Sequence, residues 1–252
     1  MLIARAAIVV AATGLATGCG GSAPPAEPPA ATVPGGTIRG HVRLTGTPPA
    51  NPSVWLHEDK MCVAAHAGAP VIQQAYATDA EGRLANVFVR LLGTFPDTPV
   101  PTEPVAIDQR DCLYVPRMVG LRAGQRLVVS NSDPGPHNVH GISTGRDGFN
   151  VLQPERGMTN EFILETEGIL RLMCDLHPWM ISFIGVAKHP YFAVSGADGV
   201  FELRDVPPGE HTVEAWHERL GVVTARVRVE SEGVAEVALE YASPAPPTPD
   251  QG

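Results

Sequence analysis

Apolar and polar residues alternate along this chain in short runs. They are TIRGHVRL (37–44), ANVFVRLL (85–92), QRLVVSN (125–131), EFILE (161–165), LRLMC (170–174), VFELRDV (200–206), HTVEAWH (211–217) and TARVRVE (224–230). A period of two sends successive side chains to opposite faces, so each run reads as a strand with one face toward a core. Turn-forming stretches such as TGTPPAN, SDPG, ADG at 197–199 and VPPGE separate the runs. Gly, Pro, Asn and Asp supply the bends there. Runs at helical spacing are scarce after the first twenty positions, and the pattern predicts an all-β chain built as sandwiches.

Composition sets limits on this picture. The chain has 252 residues, 44% hydrophobic and 18% charged, enough to bury a sizeable core and too apolar for a disordered protein. Gly 26 and Pro 25 together make about a fifth of the residues, which suits many strands joined by turns. The net charge is −9, and no Lys/Arg cluster of the density needed for a phosphate surface occurs, so nucleic acid is not expected as a partner.

The chain ends differ from its middle. Residues 1–18, MLIARAAIVVAATGLATG, carry one Arg, an apolar stretch short for a bilayer span, and then small residues, which reads as a secretory signal peptide. With the next residue the ending LATGC resembles a bacterial lipobox, with Ala16 where Leu is usual. That resemblance implies cleavage after Gly18 and lipidation of Cys19; a non-lipidated export signal is the alternative. Gly20 after the cysteine points, by the same analogy, to the outer membrane. Residues 19–36 form a Pro/Ala/Gly tether, and 243–252 a similar disordered tail.

Two blocks lie between these ends. ADGVFELRDVPPGEHTV, within 191–242, resembles the second half of the transthyretin-like domains found beside carboxypeptidases, and GTIRGHVRL resembles their first strand. Residues 37–104 then read as an N-terminal β segment, which is the first half of that sandwich if 105–190 is inserted between the halves; the alternative is that 105–190 follows as a separate module.

The middle block carries the chemistry. CDLHPWM places Cys174, His177 and Met180 in a C-x2-H-x2-M pattern. Three ligands on one turn cannot surround an ion, so a fourth must come from another strand; the leading candidate is His137 in SNSDPGPHNVHG. His137 and His140 are an odd number apart, so on an extended strand their side chains leave opposite faces and only one can meet the Cys174 loop. His137 directly follows the turn and is preferred; His140 reads as a hydrogen-bonded supporting group. Thiolate and thioether are soft donors, and two imidazoles with a thiolate and a weak Met describe a blue-copper centre. Zinc gains little from Met.

AGQRLVVSNSDPGPHNVHG, PERGMTNEFILETEGILRLMCDLHPWM and FIGVAKHP together resemble the cupredoxin family, in its plastocyanin, amicyanin and pseudoazurin branch, over about a third of the chain. The resemblance implies a Greek-key β-sandwich in which His137, Cys174, His177 and Met180 bind one copper ion, Cu(I)/Cu(II), and Asn138 braces the two ligand loops. His140 and the bulky Trp179 are departures from the family pattern. Pro178 would stiffen the loop, and Trp179 would either pack inward or form an apolar docking surface.

With Cys19 given to lipid and Cys174 to metal, Cys62 and Cys112 are left to form a disulfide in an oxidising compartment. HEDKMCVAAH offers a competing second metal set of His57, Met61, Cys62 and His66. His189, His211 and His217 have no partner at ligand spacing, and no C-x-x-C-H occurs, so any haem belongs to a partner. Four protein ligands leave no position for substrate, which points to electron transfer and away from an enzyme. The reading is a lipid-anchored carrier in the cell envelope, exchanging electrons with exported redox proteins such as a c-type cytochrome or dehydrogenase. A copper-delivery or storage lipoprotein and a non-redox adhesion module of transthyretin-like type are the alternatives.

Overall fold

A computed structural model describes residues 33–56, 59–143 and 148–244. The signal peptide read at 1–18, Cys19 with most of the tether, His57, and the tail beyond 244 lie outside the described residues. Among the described residues no helix is long and apolar enough to cross a membrane.

The chain opens with β1 (Gly36–Thr45), makes an excursion of β2 (Ser53–Val54), α1 (Lys60–Ala65) and β3 (Val71–Ile72), and enters β4 (Phe88–Leu92). Next come β5 (Val105–Arg110), β6 (Leu113–Val115), β7 (Met118–Arg122), β8 (Arg126–Asn131) and β9 (His137–Ile142). β10 (Phe149–Gln153), β11 (Thr159–Ile163), β12 (Gly168–Met173) and β13 (Ile181–Ala187) complete the middle of the chain. β14 (Phe192–Val194), β15 (Val200–Val206), β16 (Gly209–His217), β17 (Gly221–Val229) and β18 (Val234–Ala242) close it. The all-β expectation holds.

The described strands make two sandwiches. One pairs the sheet β15-β1-β18 with the sheet β14-β4-β16-β17 around Ile38, Val42, Val89, Leu203, Val213 and Leu239. The other pairs β10-β9-β12-β13-β7 with β11-β8-β5-β6 around Ile107, Leu127, Val139, Leu172 and Ile184. Within the second, β13 runs parallel to β7 and β5 parallel to β8, so the chain crosses between sheets rather than meandering. It leaves the first sandwich after β4, builds every strand from β5 to β13, and returns at β14, which pairs antiparallel with β4 through Phe192 and Arg90. Exit and return are therefore neighbours in one sheet, the geometry in which an inserted body disturbs its host least.

Residues 53–72 depart from the expectation for 37–104. β1 and β4 belong to the first sandwich, but Leu56, Cys62 and Val71 are buried in the core of the second. The excursion is an apolar cap crossing from one body to the other.

The bodies meet at Phe88, Met118 and Ala187, with Phe183, Phe192 and Trp216 against them. A Cβ at Gly185 would come within 2.4 Å of the Phe88 ring, and one at Gly120 within 2.8 Å of Phe192, so both glycines permit the close approach. Arg117 and Glu218 bridge the seam with a largely buried ion pair. This seam explains why MVGLR and ISFIGVA do not alternate. β7 and β13 carry buried side chains on both faces, one toward their own core and one toward the neighbouring body.

His217, at the end of β16, is 2% exposed and accepts the Arg219 and Leu220 N–H groups at Nδ1. Burial, and then the charges of Arg117 and Arg219, push it down to about 4. The unfolded imidazole protonates near 6.5, so His217 leaves stability intact above that pH and erodes it as pH falls from about 6.5 to about 4, by about 3 kcal/mol in full. In denaturant titrations His217→Gln should flatten that part of the acid limb. An unchanged slope would contradict this assignment.

Candidate metal centre

The site grows from two turns. Asn131 ends β8 and organises the SDPGP turn: its Oδ1 accepts the Asp133 N–H at 2.9 Å, and its Nδ2 donates to the Gly135 carbonyl at 2.9 Å. The chain re-enters the sheet at His137, whose side chain is fully buried. The second turn follows β12. Cys174 N–H donates to the Met180 carbonyl at 3.3 Å, and Met180 N–H to the His177 carbonyl at 2.8 Å. CDLHPWM therefore closes on itself; Cys174 and Met180 are fully buried and His177 is 4% exposed.

His137, Cys174 and His177 converge. Their ligand atoms lie within 4.8 Å of one another. Cys174 Sγ is 4.0 Å from His137 Nδ1 and 3.6 Å from His177 Nδ1, and the two Nδ1 atoms are 2.9 Å apart. The far nitrogens are both tied to carboxylates: His137 Nε2 lies 2.9 Å from Asp133 Oδ2, and His177 Nε2 lies 3.0 Å from Asp59 Oδ2. An ionised carboxylate only accepts, so each Nε2 carries hydrogen. In neutral rings this leaves two Nδ1 lone pairs facing each other beside a sulfur, an arrangement that a proton shared between them or a metal cation among them relieves. Cys174 is the free cysteine among the described residues, and Met180 shares its core cluster. A thiolate and two imidazoles suit copper, and the Met180 thioether, buried in the same core cluster, is a donor type that favours copper over zinc.

Supporting residues bind the two turns together. Asn138 N–H points at Cys174 Sγ at 3.4 Å, and the Asn138 side chain accepts Asp175 N–H at 2.6 Å while donating to Asn150 Oδ1 and Asp175 Oδ2. His140 leaves the opposite face of β9 from His137 and meets Asp175 at 2.8 Å, away from Cys174. Tyr114 donates its hydroxyl to the Asn138 carbonyl at 2.6 Å. Trp179 is half-buried, donating its indole N–H to the Cys112 carbonyl at 3.1 Å with its ring 5.1 Å from that of His177. Pro178 is exposed at the rim.

No family model matches the chain, and no curated protein matches it. Among solved structures it is similar to a purple cupredoxin from Nitrosopumilus maritimus, at 23% identity over 33% of this chain and 99% of that one, with a TM-score of 0.30. It is similar to an oxidised proline-to-alanine mutant of amicyanin, at 18% identity over 33% of this chain and 82% of that one, with a TM-score of 0.31. It is also similar to the copper-containing nitrite reductase from Thermus scotoductus, at 18% identity over 40% of this chain but only 26% of the reductase, with a TM-score of 0.32.

Electrostatics follow from the contacts. Burial works to raise the Cys174 thiol, but hydrogen bonds with His137, His177 and Asn138 N–H outweigh it and hold the thiol at about 6. Burial works to lower His137, but Asp133 and Cys174 raise it to about 9, and His177 is raised in the same way by Cys174 and Asp59. Asp133 and Asp59 are lowered, because their hydrogen bonds to the imidazoles and to backbone N–H groups overcome burial. The pocket thus stabilises a thiolate beside positive charge.

Cys62 and Cys112 form a disulfide, so HEDKMCVAAH does not keep a free thiol for a second metal. Its helix serves instead as a lid over the centre. His66 meets the Asp111 carbonyl, Met61 lies over Gly135, and Asp59 reaches His177. Asp59 and Asp133 are not legible from ligand types, because a carboxylate is a hard donor poorly matched to a soft ion. Local signals did exist: Asp59 sits at the N-cap of KMCVAA, and Asp133 stands four residues before His137.

Proposed function

We propose that this protein holds one copper ion through His137, Cys174, His177 and Met180 and carries single electrons between exported redox partners. Copper bound there would supply a one-electron couple between Cu(I) and Cu(II). The observation that carries the reading is the convergence of both Nδ1 atoms on the Cys174 sulfur, with each Nε2 committed to a carboxylate. The chain supplies rigidity. His137 is fixed by the Asn131 turn, Cys174 by Asn138, and the loop by its own backbone hydrogen bonds, so the donors need to move little between oxidation states. Four side-chain donors leave no place for a substrate, and the reading is of a carrier rather than an enzyme.

Electrons would pass at the His177 side. A hollow of about 450 Å³ opens there between Trp55, Leu56, Asp59 and the residues from Asp175 to Trp179, where Trp55 and Leu176 are 58% and 49% exposed. Burial of all four donors weighs against copper delivery, which requires a ligand to swing out. The transthyretin-like resemblance of the smaller sandwich supports a platform role, and Cys19 would tether the whole to the envelope.

A redox titration tests the function. Copper-loaded protein should cycle reversibly through one electron with no loss of metal. A protein that releases copper in one oxidation state would be a delivery protein, and one that takes up no copper would favour the binding-module alternative.

A further inference from the structure

The two carboxylates behind the imidazoles have a common origin in the fold. Asp59 caps α1 and accepts the Cys62 N–H through Oδ1 at 2.9 Å, leaving Oδ2 for His177. Asp133 accepts the Asp111 and Cys112 N–H groups, each at 2.8 Å, and meets His137 with Oδ2. Asp111 and Cys112 form the two-residue turn between β5 and β6, with φ of 53° and 54°, and this left-handed turn aims both N–H groups at one carboxylate. The disulfide joins the two supports, so each of its cysteines anchors the carboxylate that holds one imidazole. The Cys62 position lies within 4.8 Å of both Asp59 and His177, and Cys112 within the same distance of Asp133 and His137.

Resting on the copper reading above, we propose that Asp59 and Asp133 are positioning residues: they hold both imidazoles as Nε2–H tautomers with Nδ1 toward the thiolate, and bias the loaded centre toward its oxidised state. The tautomer follows from the acceptor-only carboxylate. The bias follows from charge. A carboxylate on the outer nitrogen makes the imidazole a more electron-rich donor, and its negative charge favours the higher positive charge of the oxidised ion. Neither effect requires these residues to touch the ion.

The test uses Asp59→Asn and Asp133→Asn in the full chain loaded with copper alone. Asn caps a helix as well as Asp does, so Asp59→Asn keeps α1 while removing the charge. At a fixed ambient potential, each variant should raise the ratio of reduced to oxidised centre about tenfold, which is 59 mV for a one-electron couple. Asp59→Ala and Asp133→Ala should weaken copper binding by about 10–100-fold. Nitrogen-15 spectra of the reduced, copper-loaded wild type should identify His137 and His177 as Nε2–H tautomers, and this readout stands even if Asp133→Asn does not fold. Wild type that binds copper with either ring as the Nδ1–H tautomer, or Asp59→Asn with an unshifted ratio, would overturn the proposal alone. Wild type that binds no copper would overturn the copper reading and this proposal with it.

Discussion

Replacing Cys174 by serine is expected to abolish the intense visible absorption of the copper-loaded protein and to weaken copper binding more than 100-fold. Loss of an outer hydrogen-bond partner alone costs about 10–100-fold in metal affinity, and in the proposed centre Cys174 would be the soft anionic donor itself. Serine keeps the shape and can still accept the Asn138 N–H, so the fold should survive. The serine hydroxyl stays protonated where the thiol sits at about 6, and the anion that would face both imidazoles is lost. Visible spectra and competition with a copper chelator measure the two effects, and unfolding curves confirm that the variant is native. A variant that keeps the colour would remove Cys174 from the centre.

The second large effect is on the fold. Cys62 and Cys112 are 50 residues apart in sequence, and cutting their disulfide with Cys62→Ala and Cys112→Ala should cost about 4 kcal/mol in the chain-entropy model. For a chain of this size that lowers Tm by roughly 8–16 °C. The loss should centre on the cap, because α1 is one short helix held down by the disulfide, His66, the Asp59–His177 contact and the packing of Met61 and Val63. Denaturant titration and hydrogen exchange across 53–72 would measure it. A cost below about 1 kcal/mol would mean that the remaining contacts hold the cap without the disulfide.

The strands that read clearly from the sequence are those with one face in a core and one in water, such as β1, β15 and β17, where burial alternates along the strand. β7 and β13 were not legible, because the seam buries their second faces and removes the alternation. Cys174, His177 and Met180 could be read as candidate donors because they are close in sequence, and His137 because its turn precedes it; of these the fold brings His137, Cys174 and His177 together. Asp59 could not be read in that role: it reaches His177 across 118 residues, and only the folding of the cap makes that contact. Short-range patterns carry the candidate donors, whereas the carboxylates and the cap that meet them depend on which distant segments the fold brings together.

In the proposed centre one imidazole from an earlier strand would join a cysteine, a histidine and a methionine of a later loop around a single soft ion. X-ray absorption at the copper edge of the loaded wild-type protein tests it most directly. The spectrum should show one strongly bound thiolate sulfur with two imidazole nitrogens, and loss of one of those nitrogens in His137→Ala. A shell of nitrogen and oxygen without sulfur, or one unchanged by His137→Ala, would contradict it.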